Sequence, residues 1–479
     1  MQRQRQRHGA ERRVRGGTSP HSLTTRGVLV IASASATARD GKQLGLPELI
    51  AMGVGGMIGG GIFSILGVAV AIAGRAAPVA FLVGSGVALA AGYSYIKLAL
   101  ALRNDGASFT YLEHAFPHAP VIARLAGWIV IVGYTGTLAL YAFTFGAYGA
   151  DLLGAPGSTT VRLVLSNSVL LFFMAVNLRG VRTSGRTEDL VVYTKIIIMA
   201  LVAIAGFSSV RREFLTPFFD KGVSSVFVSG ALVFVVFEGF QLITNAVQEI
   251  DNPARNVPRG IYGSIVVTST LYLALSFVAV GSMPPEQLVA AKEYALAVAA
   301  QPALGDAGRV LVALAALLAT SSAINATAFG ASRMMAEMAQ RRVMPAAFSF
   351  RSRHHHVPWL AVVTLTVLAA VFSMANSLDT IASFSSFTFM VVSFSVCVAN
   401  LRLRRLTNAR VGIILAGMAL ILIAVALLVL HMWREARATL VNIAALYLLV
   451  VVAELATTKR LSGAGGAADA STAAGSPQR

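Results

Sequence analysis

Apolar residues fall in long continuous runs along this chain, separated by short segments rich in charged and turn-forming residues. A run of roughly 18 or more apolar residues can cross the hydrocarbon core of a bilayer as a helix. The pattern predicts an all-α polytopic membrane protein with twelve transmembrane helices. The predicted spans are Leu46–Ala73, Pro78–Ala101, Val121–Leu152, Val161–Asn177, Leu190–Phe207, Ser225–Val247, Ile261–Ser282, Val310–Met338, Trp359–Met374, Ile381–Leu401, Val411–His431 and Leu440–Leu455.

Composition supports a bilayer as the environment of the chain. Hydrophobic residues make up 56% and charged residues only 13%, with a mean hydropathy of +0.71. A soluble domain carries roughly twice that charged fraction. The net charge of +18 is spread over short segments between apolar runs, with no aromatic-interleaved basic domain, so it indicates no nucleic-acid partner. The polar ends, 1–43 and 457–479, are predicted to be disordered cytosolic tails.

Basic residues predict the orientation. With the N-terminus in the cytoplasm, 30 of the 39 Lys and Arg residues lie in cytoplasmic segments, counting flanking span ends. Cytoplasmic loops of membrane proteins carry such an excess. Both termini are therefore predicted to be cytoplasmic, and the compact loops and short tails favour a prokaryotic inner membrane.

Two spans contain residues that disfavour a continuous helix. The first includes Gly59-Gly60-Gly61, and each Gly costs roughly 1 kcal/mol against Ala inside a helix. The sixth has Glu238 and Gly239 near its centre. Because these spans are five apart, they predict two inverted five-helix repeats, 44–210 and 222–402, and leave the last two predicted spans, in 410–456, outside them. Broken helices expose N–H groups to an anion and C=O groups to a cation, which suits a zwitterion.

Three segments resemble the amino acid–polyamine–organocation transporter superfamily. Residues 53–67 (GVGGMIGGGIFSILG) are similar to its first-helix signature. Residues 237–259 (FEGFQLITNAVQEIDNPARNVPR) are similar to its sixth helix and the loop that follows, and residues 332–345 to the end of its eighth helix. The resemblance spans about 44–455 and implies the LeuT-type fold, with transport of an amino acid or amine by alternating access.

The resemblance also implies a substrate site at the two interruptions. Backbone N–H groups of Ile58, Gly59, Gly60 and Gly61 would bind the substrate carboxylate, although small residues at these positions also suit a close helix crossing. The family usually has Ser, Thr or Ala where this chain has Gly60. No side-chain hydroxyl can therefore assist at that position.

The sixth span is expected to contribute Phe237, Glu238 and Gly239 to the site. Gly239 would allow the chain to unwind, and Phe237 would close over the substrate side chain. Glu238 is the only acidic residue near the centre of a predicted span. It has three interpretations: an internal hydrogen bond, a partner for a cationic substrate, or a carrier of a coupled proton.

Lys195 lies in the fifth span, within reach of the cytoplasmic interface by snorkelling. The stretch 193–197 (YTKII) resembles proton-coupled members of the family, which place a Lys ammonium where sodium-coupled relatives bind sodium. This resemblance implies proton coupling through Lys195, with Ser321 and Ser322 of the eighth span as facing groups or as helix-packing residues. Tyr134 and Phe384 would line the pocket or belong to the core.

These features predict a proton-coupled, sodium-independent amino acid importer whose partners are a small-molecule amino acid and a proton. An exchanger or polyamine carrier, a non-transporting amino acid sensor and a channel are the alternatives. Neither an enzyme active site nor a cofactor is predicted. His354-His355-His356 could ligate a metal, but an Arg-rich loop favours solvated histidines, so no metal is predicted.

Overall fold

The fold comes from a computed structural model that describes residues 43–103, 107–180, 185–352, 357–452 and 454. These residues are almost entirely helical, and the only β pairing among them is an isolated bridge between Leu44 and Ile250. The predicted tails, apart from Gln43, lie outside the described residues, as do His354-His355-His356. The all-α architecture agrees with the prediction.

Sixteen α-helices and one long 3₁₀-helix carry the architecture. The α-helices are α1 Leu46–Met57, α2 Gly61–Ala73, α3 Ala77–Leu102, α4 Ala107–Ala115, α5 Pro120–Leu152, α6 Thr159–Leu178, α7 Gly185–Gly206, α8 Val223–Val233, α9 Pro253–Ser282, α10 Pro285–Ala291, α11 Ala295–Gln340, α12 Trp359–Ala375, α13 Leu378–Arg402, α14 Arg404–Thr407, α15 Val411–Glu435 and α16 Arg437–Val452. The long 3₁₀-helix, Phe234–Glu249, continues directly from α8. A kink at Gly305 divides α11.

Helices cover the described residues of all twelve predicted spans, except at residues 58–60, and Phe207, which follows the end of α7, lies in a short 3₁₀ turn. Among the described residues, nine helical segments are long and apolar enough to cross a membrane, and one of these, Gly61–Leu102, comprises α2 and α3. The helices α1, α12 and α16 are apolar but shorter. The polytopic character of the chain therefore agrees with the sequence pattern.

The first span is interrupted where its glycines predict. The helix α1 ends at Met57, Ile58 leaves helical geometry with φ −84° and ψ 62°, and α2 begins at Gly61. Gly61 is thus the first helical residue after the interruption and not part of the unwound stretch. We call Ile58, Gly59 and Gly60 the first-span break.

The sixth span corrects a prediction. The helix does not unwind at Glu238 and Gly239. Instead, it tightens from α-helix to 3₁₀-helix at Phe234, and the one residue of the 3₁₀-helix with non-helical backbone angles is Ala246. Such a long 3₁₀ run is unusual, since its hydrogen bonds are poorer than those of an α-helix. Gly239 lets the 3₁₀-helix approach α1 closely, because an added Cβ would overlap the backbone of Gly56 and Met57.

Five elements surround the first-span break. The helix α1 packs against α7, α9 and the 3₁₀-helix, whereas α2 packs against α5 and α11. The helices α5 and α11 also pack against each other, and α11 packs against α7. The break therefore lies in the protein interior, where each of its backbone groups needs a partner.

Candidate functional site

Lys195 binds the carbonyl end of α1. Its Nζ donates to the carbonyl oxygen of Ile58 at 2.9 Å and to that of Gly55 at 3.4 Å. The side chain extends from α7 and is only 1% exposed. A positive charge at the C-terminal end of a helix is stabilised by the helix dipole. The Lys195 side chain therefore contacts two carbonyl oxygens at the C-terminal end of α1.

Two tyrosine hydroxyls bind the backbone on either side of the break. Tyr272 Oη, from α9, donates to the carbonyl oxygen of Met57 at 2.8 Å. Tyr148 Oη, from α5, donates to that of Phe63 at 2.8 Å. The carbonyl groups at the end of a helix have no partner within the helix, so the Tyr272 bond satisfies that of Met57, the last residue of α1. Phe63 lies inside α2, and the Tyr148 bond ties α5 to its first turn. Sequence reasoning missed both residues, because a tyrosine in an apolar span looks like any other core aromatic.

The amide end of α2 faces the same break. Ser64 Oγ donates back to the carbonyl oxygen of Gly60 at 2.7 Å. Among the described residues, no side chain caps the N-terminus at Gly60. The first-turn N–H groups of a helix have no partner within the helix, and together with the helix dipole they attract an anion. This end of α2 can therefore bind a carboxylate.

Tyr141 explains why Gly occurs at position 60. An added Cβ on Gly60 would come within 2.8 Å of Tyr141 Cδ1, and one on Gly59 within 2.9 Å of Tyr141 Cε1. The ring from α5 thus fills the space that a side chain at either position would need. Sequence reasoning did not identify Tyr141, since the contact depends on the packing of two distant spans.

The helix α11 forms the opposite wall of the break. An added Cβ on Gly59 would lie 2.8 Å from Ala323 Cβ, and one on Gly60 would lie 3.4 Å from Thr320 Cγ2. Ser321 and Ser322 are half-buried between these two positions in sequence. The predicted serines therefore lie on the helix that contacts both the break and α7.

Glu238 is a buried carboxylate on the 3₁₀-helix. Gln241 Nε2 donates to its Oε2, whereas Oε1 is buried and has no hydrogen-bond partner among the described residues. An unpaired oxygen in a buried carboxyl group is unfavourable, so this atom favours a proton, a water molecule or a ligand ammonium as its partner.

The remaining predicted pocket residues have aromatic partners. The Phe237 ring is fully buried with its centroid 5.6 Å from that of Tyr272, and Tyr134 packs edge-on to Phe389 at 5.9 Å. Phe384 packs edge-on to Phe372 at 4.9 Å. It also lines a cavity of about 280 Å³ between α12, α13 and α16. Phe237 therefore packs against Tyr272, which binds the carbonyl oxygen of Met57 beside the break.

Comparison with known proteins identifies the family of the chain. The family model for amino acid permeases matches residues 44–454. The chain belongs to the amino acid permease family. With its apolar helices, this membership makes the permease a multi-pass membrane protein, and it agrees with the resemblance carried by the three sequence segments.

Relatives match over most of their length. An uncharacterized protein of Methanocaldococcus jannaschii is 31% identical over 415 residues, covering 86% of the permease and 95% of the relative. An inner membrane transport protein of Escherichia coli is 29% identical, with 86% and 96% covered. A branched-chain amino acid permease of Bacillus subtilis is 26% identical, with 77% and 83% covered.

Proposed function

We propose that the permease is a secondary active transporter that imports amino acids by alternating access, coupled to protons and independent of sodium. The contact of Lys195 with the carbonyl oxygens of Ile58 and Gly55 carries this proposal. Carbonyl oxygens at a helix end are natural ligands for a sodium ion, and here an ammonium group contacts them. Loss of its proton would remove the charge that holds α1 and α7 together.

The architecture proposed for this transporter has twelve spans. Residues 44–210 and 222–402 form two inverted five-helix repeats of the LeuT type, and 410–456 adds two accessory helices. Both helical irregularities support this arrangement, since the first span breaks at Ile58 and the sixth changes its winding at Phe234. These spans are five apart, as an inverted repeat requires.

The proposed substrate site lies at the first-span break. The carboxylate would bind the N–H groups of Gly60 and Gly61 at the start of α2. The ammonium would bind on the side of the 3₁₀-helix, near Glu238. Phe237, Tyr134 and Phe384 would enclose the substrate side chain. In this account the packed walls around Gly59 and Gly60 move apart when the transporter opens.

Proton coupling is proposed to use Lys195, with Ser321 and Ser322 as polar neighbours on α11. Glu238 would be a second proton-binding group, since its Oε1 lacks a partner among the described residues. Substrate binding at α2 and proton binding at Lys195 act on opposite sides of the same break. Each can therefore favour the same conformation of the first span, which is what coupling requires.

Localisation in a prokaryotic inner membrane with both termini cytoplasmic agrees with the basic residues in the predicted inner loops. Two relatives, an inner membrane transport protein of Escherichia coli and a branched-chain amino acid permease of Bacillus subtilis, support the membrane and the substrate class. Branched-chain amino acids therefore belong among the first substrates to be tested.

An amino acid or polyamine exchanger is the second candidate function. The unpaired Oε1 of Glu238 favours it, because a second substrate ammonium would supply the missing partner. In that case Glu238 would recognise the substrate, and proton coupling would be absent.

The test is uptake into liposomes that contain the purified permease, with a panel of labelled neutral and cationic amino acids. Each run has an inward proton gradient, an inward sodium gradient or neither. Concentrative uptake driven by the proton gradient alone is the expected result. Uptake driven by sodium would contradict the proposal, and exchange with preloaded substrate as the only activity would favour the second candidate.

A further inference from the structure

A second cavity lies apart from the first-span break, at the predicted outer ends of the helices. It measures about 230 Å³ and lies between α5, the start of α6, the turn 292–294 and the start of α13. None of the break residues lines it. Pockets for drug-sized ligands are roughly 300–1,000 Å³, so this outer cavity suits a smaller solute.

Arg162 supplies a positive group to the outer cavity. Its guanidinium carbon lies 3.9 Å from the centre of the Phe143 ring. Its Nη1 is buried and has no hydrogen-bond partner among the described residues. Stacking on an aromatic face leaves the in-plane N–H groups of an arginine available. The arginine is therefore prepared to donate to a carboxylate that enters the cavity.

Two acidic side chains supply negative groups to the same cavity. Glu293 lines the cavity together with Arg162. Asp379 Oδ2 lies 3.9 Å from Lys292 Nζ, and each of these two side chains is 50% exposed. Exposed ion pairs are held weakly, because water competes for both charges. A ligand ammonium can therefore replace Lys292 beside Asp379.

The walls of the outer cavity are fixed by backbone contacts. The turn that carries Lys292 lies against α2, where an added Cβ on Gly67 would come within 2.8 Å of Lys292 Cα. Ser158 and Ser377 cap the helices α6 and α13, each accepting a hydrogen bond from the backbone of its first turn at 3.4 Å. The charged groups of both signs are thus held around one small space.

We propose that the outer cavity binds a free α-amino acid, with its carboxylate on Arg162 and its ammonium beside Glu293 and Asp379. The substrate class rests on the proposed function, whereas the site itself rests on the charges and the cavity. The helix α5 connects it to the break. Phe143 and Ala147 line the cavity, and Thr144 Oγ1, one residue after Phe143, would lie 3.2 Å from an added Cβ on Gly60.

Protection of an introduced cysteine tests this site. Cys397 is the only cysteine, so Cys397→Ala gives a cysteine-free background. Thr159→Cys then places an exposed thiol on the cavity wall. The rate of its reaction with a membrane-impermeant thiosulfonate is measured with L-alanine, L-leucine or L-lysine present. At an amino acid concentration about ten times its dissociation constant, the fraction of unoccupied cavities should fall about tenfold. The rate of thiol modification should fall by the same factor.

Five controls accompany the measurement. N-acetyl-L-leucine methyl ester, which lacks both charges, should give no protection. Arg162→Gln should abolish protection by all three amino acids, and Asp379→Asn should weaken it. Glu213→Cys, on the exposed loop before α8, should react at the same rate with and without amino acid, and thermal unfolding of each variant checks that it is folded. Gly60→Val, which overpacks the break against Tyr141, should retain protection at Thr159→Cys.

The outcomes separate this site from the proposed transport activity. Protection that survives Arg162→Gln, or that the blocked ester also gives, would overturn the inference. Protection that Gly60→Val abolishes would also overturn it, because the signal would then come from the break. Protection in a protein that shows no uptake in liposomes would leave the outer site standing and contradict only the proposed function.

Discussion

Lys195 Nζ lies 2.9 Å from the carbonyl oxygen of Ile58, the residue at which the first span ceases to be helical. This contact joins α7 to the break, so the protonation of one side chain bears directly on the position of α1. The opposite side of the break presents the N–H groups of α2. A cation on one side and an anion-binding helix end on the other form the basis of the proposed coupling.

Replacing Lys195 by Gln or by Ala separates its charge from its hydrogen bonds. Lys195→Gln keeps a donor for the Ile58 carbonyl but has no titratable charge, so we expect substrate binding to remain while uptake becomes independent of the proton gradient. Lys195→Ala leaves the carbonyl unpaired. Because hydrogen bonds to charged groups contribute about 1.5–3 kcal/mol, this variant should also lose thermal stability. Binding, uptake and thermal unfolding measured together check both outcomes.

Gly239→Ala tests the close approach of the sixth span to the first. Its Cβ would overlap the backbone of Gly56, which cannot move aside as a side chain can. We expect a loss of about 1–3 kcal/mol of stability, typical of overpacking, together with loss of uptake. Gly86→Ala is the matched control, because no atom lies within 4 Å of its added Cβ. It should be neutral or more stable by about 1 kcal/mol.

Glu238→Gln distinguishes the two candidate functions. If Glu238 carries a coupled proton, the variant should lose proton dependence for neutral and cationic substrates alike. If Glu238 pairs with a second substrate ammonium, only cationic substrates should be lost. We expect the first result. Uptake of leucine and lysine at matched proton gradients, in the parent and the variant, gives the answer, and selective loss of lysine uptake would favour the exchanger.

Tyr272→Phe and Tyr148→Phe form a matched pair. Each removes one hydrogen bond of 2.8 Å to a backbone carbonyl, so each should lower stability by roughly 0.5–1.5 kcal/mol. Only Tyr272 binds Met57, directly beside the break. We therefore expect Tyr272→Phe to reduce uptake several-fold more than Tyr148→Phe. Equal uptake in two equally destabilised variants would show that the Met57 contact is purely structural.

The first-span break was predictable from sequence because three consecutive glycines disfavour a helix whatever surrounds them. The sixth span was not, because Gly239 acts through tertiary contact. Its missing side chain lets the 3₁₀-helix touch the backbone of Gly56, and no local rule distinguishes this use from unwinding. The change of winding at Phe234 likewise has no local signal in the sequence.

The candidate site residues likewise divide into those that the sequence reveals and those that depend on tertiary packing. The resemblance led to Lys195, and the structure adds its acceptors, the carbonyls of Ile58 and Gly55. Tyr141 and Tyr272 were missed, since their positions beside the break depend on how α5 and α9 pack. Charges inside apolar spans are conspicuous in a sequence, whereas aromatic and hydroxyl groups are common to cores and sites.

Proton movement on addition of substrate tests proton coupling through Lys195 directly. Liposomes containing the permease enclose a pH-sensitive dye, and a transported amino acid is added outside without any imposed gradient. We expect acidification of the lumen with the parent protein, none with Lys195→Gln, and no effect of replacing external sodium by choline. Substrate uptake without acidification in the parent, or acidification that persists in Lys195→Gln, would contradict proton coupling through Lys195.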